Sequence, residues 1–317
     1  MNFPGNSAAS LKVGIVTVTY NSRAVLEEFF SSLAAQSYTN YILYIVDSAS
    51  TDETAAYTAA HLPPQARLLP SAVNIGFAAG TNLGIRAAFA DGCEAILMLN
   101  NDVVLDREMI RHLVDALDRD RCDMTTPLMY YHQPANRIWA AGGALHPWLG
   151  YLNSHRGMGE TDRGQFSKGT RVTFAPLCSV LARKAVFERA GVLDERYFTY
   201  TEDSDFMYSC MKLNITLWYV PEAKLWHKVS SLTGNLSTFT IYYSVRGRIY
   251  FLHKHFSSPM AWAWTCAYLA YFPLQFALRR LSWRIMKLKC RAALEGHALY
   301  REGVSRRAAH DVTTAVD

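Results

Sequence analysis

The stretch that most constrains this chain is residues 95–105, AILMLNNDVVL. Its five consecutive apolar residues, Ala95–Leu99, predict a strand buried in a parallel sheet. The run stops at Asn100-Asn101-Asp102, and ligands of open α/β sheets bind at the carboxyl ends of the strands. A carboxylate there can hold Mg²⁺ or Mn²⁺ on a diphosphate, but Asn and Asp also cap ordinary turns. The triplet alone leaves a binding site and a turn as alternatives.

Two earlier strands end in polar residues of the same kind. Val13–Thr19 is β-branched and ends before Tyr20 and Asn21, and residues 41–46 end at Asp47. The helical pattern between them predicts a βαβ unit with parallel strands. Asp47 can accept hydrogen bonds from a pyrimidine or a ribose, or it can cap the helix that follows. Three such strand ends on one edge of a sheet favour a binding site over turns.

Glycines recur at intervals of four in residues 74–85, NIGFAAGTNLGI. The pattern is not G-x-G-x-x-G, so a dinucleotide fingerprint is not supported. The glycines allow either close approach of the backbone to a ligand or close packing of a helix on the sheet, and packing is favoured for Gly84. A helix is expected to run to about Ala90, and another to follow Asp106 as its N-cap.

The middle of the chain gives weaker signals. Residues 125–173 predict long irregular loops, in which Trp139, Trp148 and Tyr151 either face a sugar or belong to the core. Strands are predicted at residues 174–181, 216–220 and 225–227, and a short helix at 183–190. Glu202, Asp203 and Asp205 open another helix, where acids complement the dipole but exceed the number it needs. His227 is either a packed residue or a ligand.

Composition and charge restrict the class of protein. The chain has 317 residues, 50% of them hydrophobic, which suits one large domain with an appendage or two domains. Six scattered cysteines predict free thiols and the cytosolic side of a membrane, and they argue against a structural zinc site. No signal peptide is recognised at the N-terminus.

The C-terminal region is strongly basic. Residues 242–310 carry twelve Lys or Arg against two Asp or Glu, which points to an acidic partner, either a membrane or a nucleic acid. Residues 259–278 are uncharged and aromatic, so they suit an interfacial or re-entrant helix. Four cations are then predicted on one helical face: Arg280, Arg284, Lys287 and Arg291. An anionic membrane is favoured because no nucleic-acid motif accompanies the charge. The alternative is a hydrophobic helix packed against the rest of the chain or a second subunit.

Taken together, the motifs resemble the family 2 inverting glycosyltransferases of the GT-A fold, in the rhamnosyltransferase-like branch that builds bacterial surface polysaccharides. The resemblance spans about residues 13–231 and rests on six motifs in family order: VTVTYNS, VDSASTDET, NIGFAAGTNLGI, MLNNDV, GVLDERYFTYTEDSDF and LWHKVSS. It continues more weakly into YYSVRGRIYFLHKHF.

This resemblance implies a fold and an organisation. The fold is α/β, with a GT-A type, mostly parallel nucleotide-binding sheet flanked by helices and a C-terminal helical membrane-associating extension. Residues 1–240 would form the catalytic domain and residues 241–317 the basic, aromatic-rich helical region. The enzyme would work at the cytoplasmic face of the inner membrane, and its oligomeric state is left open.

The resemblance also implies partners and residue roles. The donor is a nucleotide-diphosphate sugar, with dTDP-L-rhamnose favoured over UDP-hexoses, and the acceptor is a lipid-linked glycan. Asp203 would be the catalytic base, and Asp102 and His227 would lie close together to hold Mg²⁺ or Mn²⁺, with His227 alternatively contacting the diphosphate. Asp47 would contact the pyrimidine base or the ribose of the donor. The remaining substrate-binding residues would be Tyr20, Asn21, Asn74, Gly76, Asn101 and Glu202.

Three departures from the family pattern stand out. Asn100 replaces the first aspartate of a D-x-D motif, and residues 174–177, FAPL, replace a small S/G-G-A pattern. Gly247 stands where an Asn often follows the arginine of the YY-x-x-R stretch, which is Arg246 here. Competing classes fit less well: a nucleotidyltransferase lacks its basic glycine-rich loop, and a serine hydrolase lacks G-x-S-x-G. A non-catalytic nucleotide-sugar-binding protein would not need both acidic clusters.

Overall fold

The computed structural model describes residues 11–229 and 237–314, with the backbone alone at 304–314. The strands are β1 (Val13–Thr19), β2 (Tyr41–Asp47), β3 (Ala66–Pro70), β4 (Ala95–Leu99), β5 (Val103–Leu105), β6 (Met124–Tyr131), β7 (Ile138–Ala140), β8 (Gly143–His146), β9 (Leu152–His155), β10 (Thr170–Val172), β11 (Ser179–Arg183) and β12 (Leu217–His227). The helices are α1 (Arg23–Ala34), α2 (Thr54–Ala60), α3 (Gly76–Ala90), α4 (Met109–Arg119), α5 (Lys184–Ala190), α6 (Glu202–Lys212), α7 (Thr238–His255), α8 (Ser258–Ala277) and α9 (Trp283–Thr314). The first ten residues, on which the signal-peptide prediction rests, and the end of the LWHKVSS motif (Ser230 and Ser231) lie outside the described residues.

One half of the main sheet is parallel, in the order β3-β2-β1-β4. The predicted strands β1, β2 and β4 and the βαβ unit are confirmed, and Thr19 at the end of β1 lies opposite Asp47. Because neighbouring parallel strands end at the same edge of a sheet, the residues that follow β1 and β4 lie at the same edge as Asp47.

The other half of the sheet mixes directions, in the order β4-β11-β6-β12-β10. Here the prediction of an irregular segment at residues 125–173 was wrong, because β6 is a buried eight-residue strand and β7 to β10 follow. Its polar residues Thr125 and Thr126 mask the apolar signal, and each hydroxyl donates a hydrogen bond to a backbone carbonyl.

Two strand boundaries also differ from prediction. The strand predicted at residues 174–181 begins only at Ser179, after a turn in which Ser179 N–H donates to the carbonyl of Pro176. The strands predicted at 216–220 and 225–227 are one strand, β12, with an irregularity between Val220 and Lys224. Pro221 and Glu222 fall in that irregularity and break the apolar pattern.

Helices α1 and α3 cover opposite faces of the parallel half. Helix α1 buries Leu26, Phe29, Phe30 and Leu33 against the sheet. Helix α3 packs its glycines on β1, since a Cβ at Gly80 or Gly84 would press on a valine side chain of that strand. Close packing therefore accounts for both glycines.

A short strand, β5, separates Asp102 from α4 and was not predicted. It pairs antiparallel with the end of β12, which places His227 opposite Val103. The N-cap of α4 is Glu108 rather than the predicted Asp106, because α4 begins only at Met109. The carboxylate of Asp106 accepts a hydrogen bond from Glu108 N–H in the turn just before the helix.

The C-terminal helices pack on the body of the protein. Ile249, Tyr250 and Ala293 belong to the same buried cluster as Val16 of β1 and Met98 of β4. The uncharged segment forms α8, but Arg280 precedes α9, so the prediction of four cations on one helix holds for only three of them. Among the residues that the structure describes, no helix has the length and apolarity to cross a membrane. The predicted α/β class with a C-terminal helical extension is confirmed.

Candidate active site

A cleft of about 770 Å³ opens at the edge where β1, β2 and β4 end. Nine of the ten predicted site residues line it: Tyr20, Asn21, Asn74, Gly76, Asn101, Asp102, Glu202, Asp203 and His227. Several lining residues were not predicted, chiefly the loop Phe198–Tyr200 and the segment Ser237–Phe239 at the start of α7. The two groups of acids, far apart in sequence, thus share one cavity.

Asp102 and His227 are close in space, as predicted. The imidazole Nε2 of His227 lies 3.1 Å from Oδ1 of Asp102, and both side chains are buried. The pairing of β5 with β12 brings them together, and Lys228 N–H donates to the carbonyl of Asp102. Burial opposes the charge on His227, but the neighbouring Cys178 and Asp102 outweigh it and raise the pKa of His227 to about 10.

These two side chains fit the edge of a Mg²⁺ or Mn²⁺ site. Asp102 offers a carboxylate at the cleft, and His227 offers an imidazole that can bind a metal only after it loses its proton. The described residues contain no group of three or more His, Cys, Asp or Glu that could hold a metal. Mg²⁺ is commonly held by one or two protein ligands together with substrate phosphates and water. The donor set therefore suits a metal that arrives with, or is completed by, a diphosphate.

Asp47 is the predicted residue that does not line the cleft. It is buried, and its carboxylate accepts hydrogen bonds from Thr19 Oγ1 at 2.9 Å and from the N–H and hydroxyl of Ser50 at 3.1 and 2.6 Å. Asn21 makes a similar tie, since its Oδ1 accepts from Thr51 N–H at 2.8 Å. Both residues hold the loop after β2 in place, and a contact of Asp47 with substrate stays a prediction.

The amides on this edge are also held by the backbone. Asn101 Nδ2 donates to the carbonyl of Val18 at 2.8 Å, and Asn74 Oδ1 accepts from Gly76 N–H at 3.0 Å. Gly76 has φ of +77°, and a Cβ there would lie 2.5 Å from the carbonyl oxygen of Phe198. Only glycine fits this approach between the start of α3 and the loop before α6.

Glu202 and Asp203 begin α6 and face the cleft. Burial raises the pKa of Asp203, although the N–H and hydroxyl of Ser204 donate to its carboxylate. Burial and then the charge of Asp203 raise the pKa of Glu202, whose Oε2 is buried without a hydrogen-bond partner among the described residues. Raised pKa values make both carboxylates stronger proton acceptors than exposed acids.

Asp205 faces away from the cleft and serves α7. Its carboxylate accepts from His255 Nε2 at 2.6 Å, Lys254 Nζ at 2.7 Å and Tyr197 Oη at 2.9 Å. Burial disfavours its ionisation, but His255 and Lys254 outweigh this and hold the pKa of Asp205 below its usual value. Asp205 is therefore a structural link between α6 and α7.

The loop before α6 is strained and aromatic. Phe198, Tyr200 and Thr201 all have positive φ, between 61° and 74°, which costs energy for residues other than glycine and is common at functional sites. Phe198 stacks on Tyr243 of α7 with ring centroids 5.1 Å apart, and Phe239 packs on the same ring. Sequence periodicity alone gives no signal for such a loop.

Of the three candidate aromatics for a sugar face, one lines the cleft. Trp139 is buried at its wall and contacts His227 edge-on, with ring centroids 4.3 Å apart. Trp148 is 93% exposed and does not line the cleft, and Tyr151 packs on Tyr208. Tyr151 is therefore a packing residue, and Trp139 both packs and borders the cavity.

Residues 14–191, more than half of the chain, match the family described as Glycosyl transferase family 2. The chain belongs to this family. The match covers the strand ends at Asp47 and Asp102, and it stops before the acidic start of α6.

Two relatives of this chain are named as rhamnosyltransferases. The N-acetylglucosaminyl-diphospho-decaprenol L-rhamnosyltransferase of Mycobacterium tuberculosis is 28% identical over 240 residues, covering 69% of this chain and 77% of that protein. The dTDP-rhamnosyl transferase RfbF of Shigella flexneri is 23% identical over 191 residues, covering 57% of this chain and 61% of that protein. The family 2 member described here is rhamnosyltransferase-like, as predicted.

A solved structure has the same fold. GalNAc-T7, solved with UDP, GalNAc and Mn²⁺, superposes with a TM-score of 0.59 at 15% identity, covering 77% of this chain and half of that one. At this identity the likeness concerns the fold alone, and it supports the predicted GT-A architecture.

Proposed function

We propose that this family 2 enzyme transfers a hexose, with inversion, from a nucleotide-diphosphate donor to a hydroxyl of a lipid-linked bacterial surface glycan. One observation carries the proposal: the Asp102–His227 pair and the Asp203 carboxylate line the same cleft. The Asp102–His227 pair can bind the phosphates of the donor, and the Asp203 carboxylate can accept the proton of the acceptor hydroxyl. We further propose that residues 1–240 form the catalytic unit.

Asp203 is proposed to accept the proton of the acceptor hydroxyl as that oxygen attacks the anomeric carbon. A base works best when its pKa lies near the working pH, and burial moves the pKa of Asp203 in that direction. Ser204 orients the carboxylate through two hydrogen bonds. One in-line displacement assisted by one base inverts the anomeric configuration.

Asp102 and His227 are the residues proposed to hold Mg²⁺ or Mn²⁺ at the donor diphosphate. A metal bound there would neutralise charge on the departing nucleoside diphosphate. The Mn²⁺ in the structure of GalNAc-T7 supports this proposal. In its protonated form, His227 instead offers a positive charge to the same phosphates. The side-chain amide of Asn101 is held by Val18 at the same edge.

The names of two relatives support a choice of donor and acceptor. One is a dTDP-rhamnosyl transferase, and another attaches L-rhamnose to N-acetylglucosaminyl-diphospho-decaprenol. We therefore propose dTDP-L-rhamnose as donor, with UDP-hexoses as the next choice, and a polyprenyl-diphosphate-linked glycan as acceptor. The six free cysteines suit the reducing, cytoplasmic face of the inner membrane.

A nucleotide-sugar panel tests this function. The full chain is first screened for thermal stabilisation by dTDP-rhamnose, UDP-glucose and GDP-mannose with Mg²⁺ or Mn²⁺, because a ligand that binds the native state raises its stability. Turnover with an acceptor should then release a nucleoside diphosphate and stop after exhaustive chelation. Release of pyrophosphate would indicate a nucleotidyltransferase instead, and unchanged turnover after chelation would remove the metal from the mechanism.

A further inference from the structure

Helix α8 exposes an unusual amount of apolar surface. None of its twenty residues is charged, yet only Ala261, Thr265 and Phe272 are buried. The exposed large side chains of the helix are Met260, Trp262, Tyr271, Leu274 and Phe276. A helix that is apolar all round is normally buried in a protein core or a membrane, and an exposed patch of this kind marks a contact surface.

Cations surround the end of this surface. Residues 258–294 contain six Lys or Arg and no Asp or Glu. Where α8 turns into α9, Arg279, Arg280 and Arg284 are exposed beside the exposed Leu278 and Trp283. Phe276 packs on Trp283 with ring centroids 5.4 Å apart. We call Leu278, Arg279, Arg280, Trp283, Arg284 and Lys287 together the hairpin tip.

The cations of the hairpin tip are available to a partner. Within the described residues, Arg279, Arg280, Arg284 and Lys287 form no ion pair, although Lys287 Nζ lies 5.4 Å from the ring centre of Trp283. By contrast, Arg291 pairs with Glu295 at 2.7 Å, so it is not part of the tip. The local charge is therefore positive and is not compensated by any described residue.

We propose that the hairpin tip and the exposed face of α8 dock on a bilayer that contains anionic lipids. Aromatic and aliphatic side chains enter the headgroup boundary, and arginine and lysine meet lipid phosphates at the same depth. A two-fold contact centred on the hairpin tip would bring the same cations of two copies together, which is unfavourable. A nucleic acid would match the charge but would leave the apolar face of α8 in water.

Vesicle binding tests this surface without using catalysis, so its outcome is separate from that of the proposed function. The full chain is sedimented with vesicles of phosphatidylcholine alone and of phosphatidylcholine mixed with phosphatidylglycerol. Binding is expected only with the anionic lipid, and high salt should weaken it without abolishing it. In the triple variant Arg280→Glu, Arg284→Glu, Lys287→Glu, affinity should fall by about 100-fold or more, since each cation contributes about fivefold.

A matched variant controls for the change in net charge. Arg163→Glu, Lys168→Glu and Arg171→Glu reverse three exposed cations outside the hairpin tip, and vesicle binding should change little. Far-ultraviolet circular dichroism and the midpoint of thermal unfolding report whether each variant is folded. The proposal is overturned if the wild-type chain ignores anionic vesicles, if both triple variants lose binding equally, or if the chain is a dimer whose assembly depends on the tip.

Discussion

Asp203 and Asp205 lie on one helix and do opposite things. Side chains two positions apart on an α-helix point to nearly opposite sides. Asp203 therefore faces the cleft, while Asp205 faces Lys254 and His255 of α7. Burial raises the pKa of the first, and the partners of the second keep its pKa low. The environment therefore separates a proton acceptor from a structural anion within one helical turn.

The first prediction concerns Asp203 itself. Asp203→Asn keeps the shape of the side chain but cannot accept the proton, so kcat should fall by about 100-fold or more. The dissociation constant for the donor should barely change, because Asp203 is assigned to the acceptor. As a control, Asp115→Asn makes the same change at an exposed position on α4 and should leave kcat unaltered. Near-normal turnover of Asp203→Asn would move the base to Glu202.

The second prediction is the pH dependence of turnover. Asp203 acts only when ionised, so kcat should rise with pH as this carboxyl loses its proton and fall as the pH drops below its pKa. Since burial raises that pKa, the acidic limb of the profile should lie above the pKa of an ordinary aspartate, about 3.9. A profile of kcat against pH at saturating substrate checks this. An acidic limb at the ordinary value would mean that Asp203 is not buried in the working complex.

At the scale of elements, a buried ionic network joins α6 to α7. Lys254 Nζ lies 2.8 Å from Asp194 and 2.7 Å from Asp205, between the loop before α6 and the helix itself. Asp194 also accepts from Tyr250 Oη at 2.8 Å. Helix α7 thus holds the element that carries Asp203, although it contributes no acid to the cleft.

The third prediction removes the cation from this network. Lys254→Met removes the ammonium group that pairs with the buried carboxylates of Asp194 and Asp205. This loss should lower the free energy of unfolding at neutral pH by about 3 kcal/mol. The pKa values of Asp194 and Asp205 are lowered, so their stabilisation is lost as pH falls through the acid range, and the variant should differ less from wild type there. Urea unfolding measures both. Lys184→Met, whose lysine is half-exposed and 3.9 Å from Glu188, should cost little, and equal losses would contradict the account.

A second contact between elements is the glycine surface of α3. A Cβ at Gly84 would press on Val16 Cγ1 of β1. Gly84→Ala should therefore cost about 1–3 kcal/mol from overpacking, despite the better helix propensity of alanine. Combined with Val16→Ala, which removes the obstructing methyl groups, the substitution should cost less than the sum of the single variants. Additive losses in urea unfolding would show that the two positions do not press on each other.

At the scale of the whole molecule, the sequence predicts local and parallel elements best. The strand β4 is a continuous apolar run, β2 is apolar up to its last residue, Asp47, and β1 is rich in β-branched residues, so the ends of these strands and the edge of the cleft could be read directly. In the mixed half, β6 was missed because it carries the buried polar residues Thr125 and Thr126, whose partners come from other elements, and β7 to β10 were missed because each has only three or four residues. Such tertiary contacts leave no local periodicity.

The candidate site shows the same limit. Motifs identify Asp102, Asp203 and His227, but only the pairing of β5 with β12 explains how His227 reaches Asp102. The strained loop Phe198–Tyr200 and the start of α7 join the cleft through backbone conformation and ring stacking, for which sequence patterns carry no signal. Asp47 ends β2 at the edge of the cleft, as predicted, yet its carboxylate accepts hydrogen bonds from Ser50 and Thr19 and does not face the cavity.

The central claim is that one cleft performs a single displacement, with the donor at Asp102 and His227 and the base at Asp203. The most direct measurement is the anomeric configuration of the product made by the purified full chain, read by NMR from the one-bond carbon–hydrogen coupling at the anomeric carbon. We predict a configuration opposite to that of the donor sugar, because one base and one attack allow only inversion. A product that retains the donor's configuration would contradict the account.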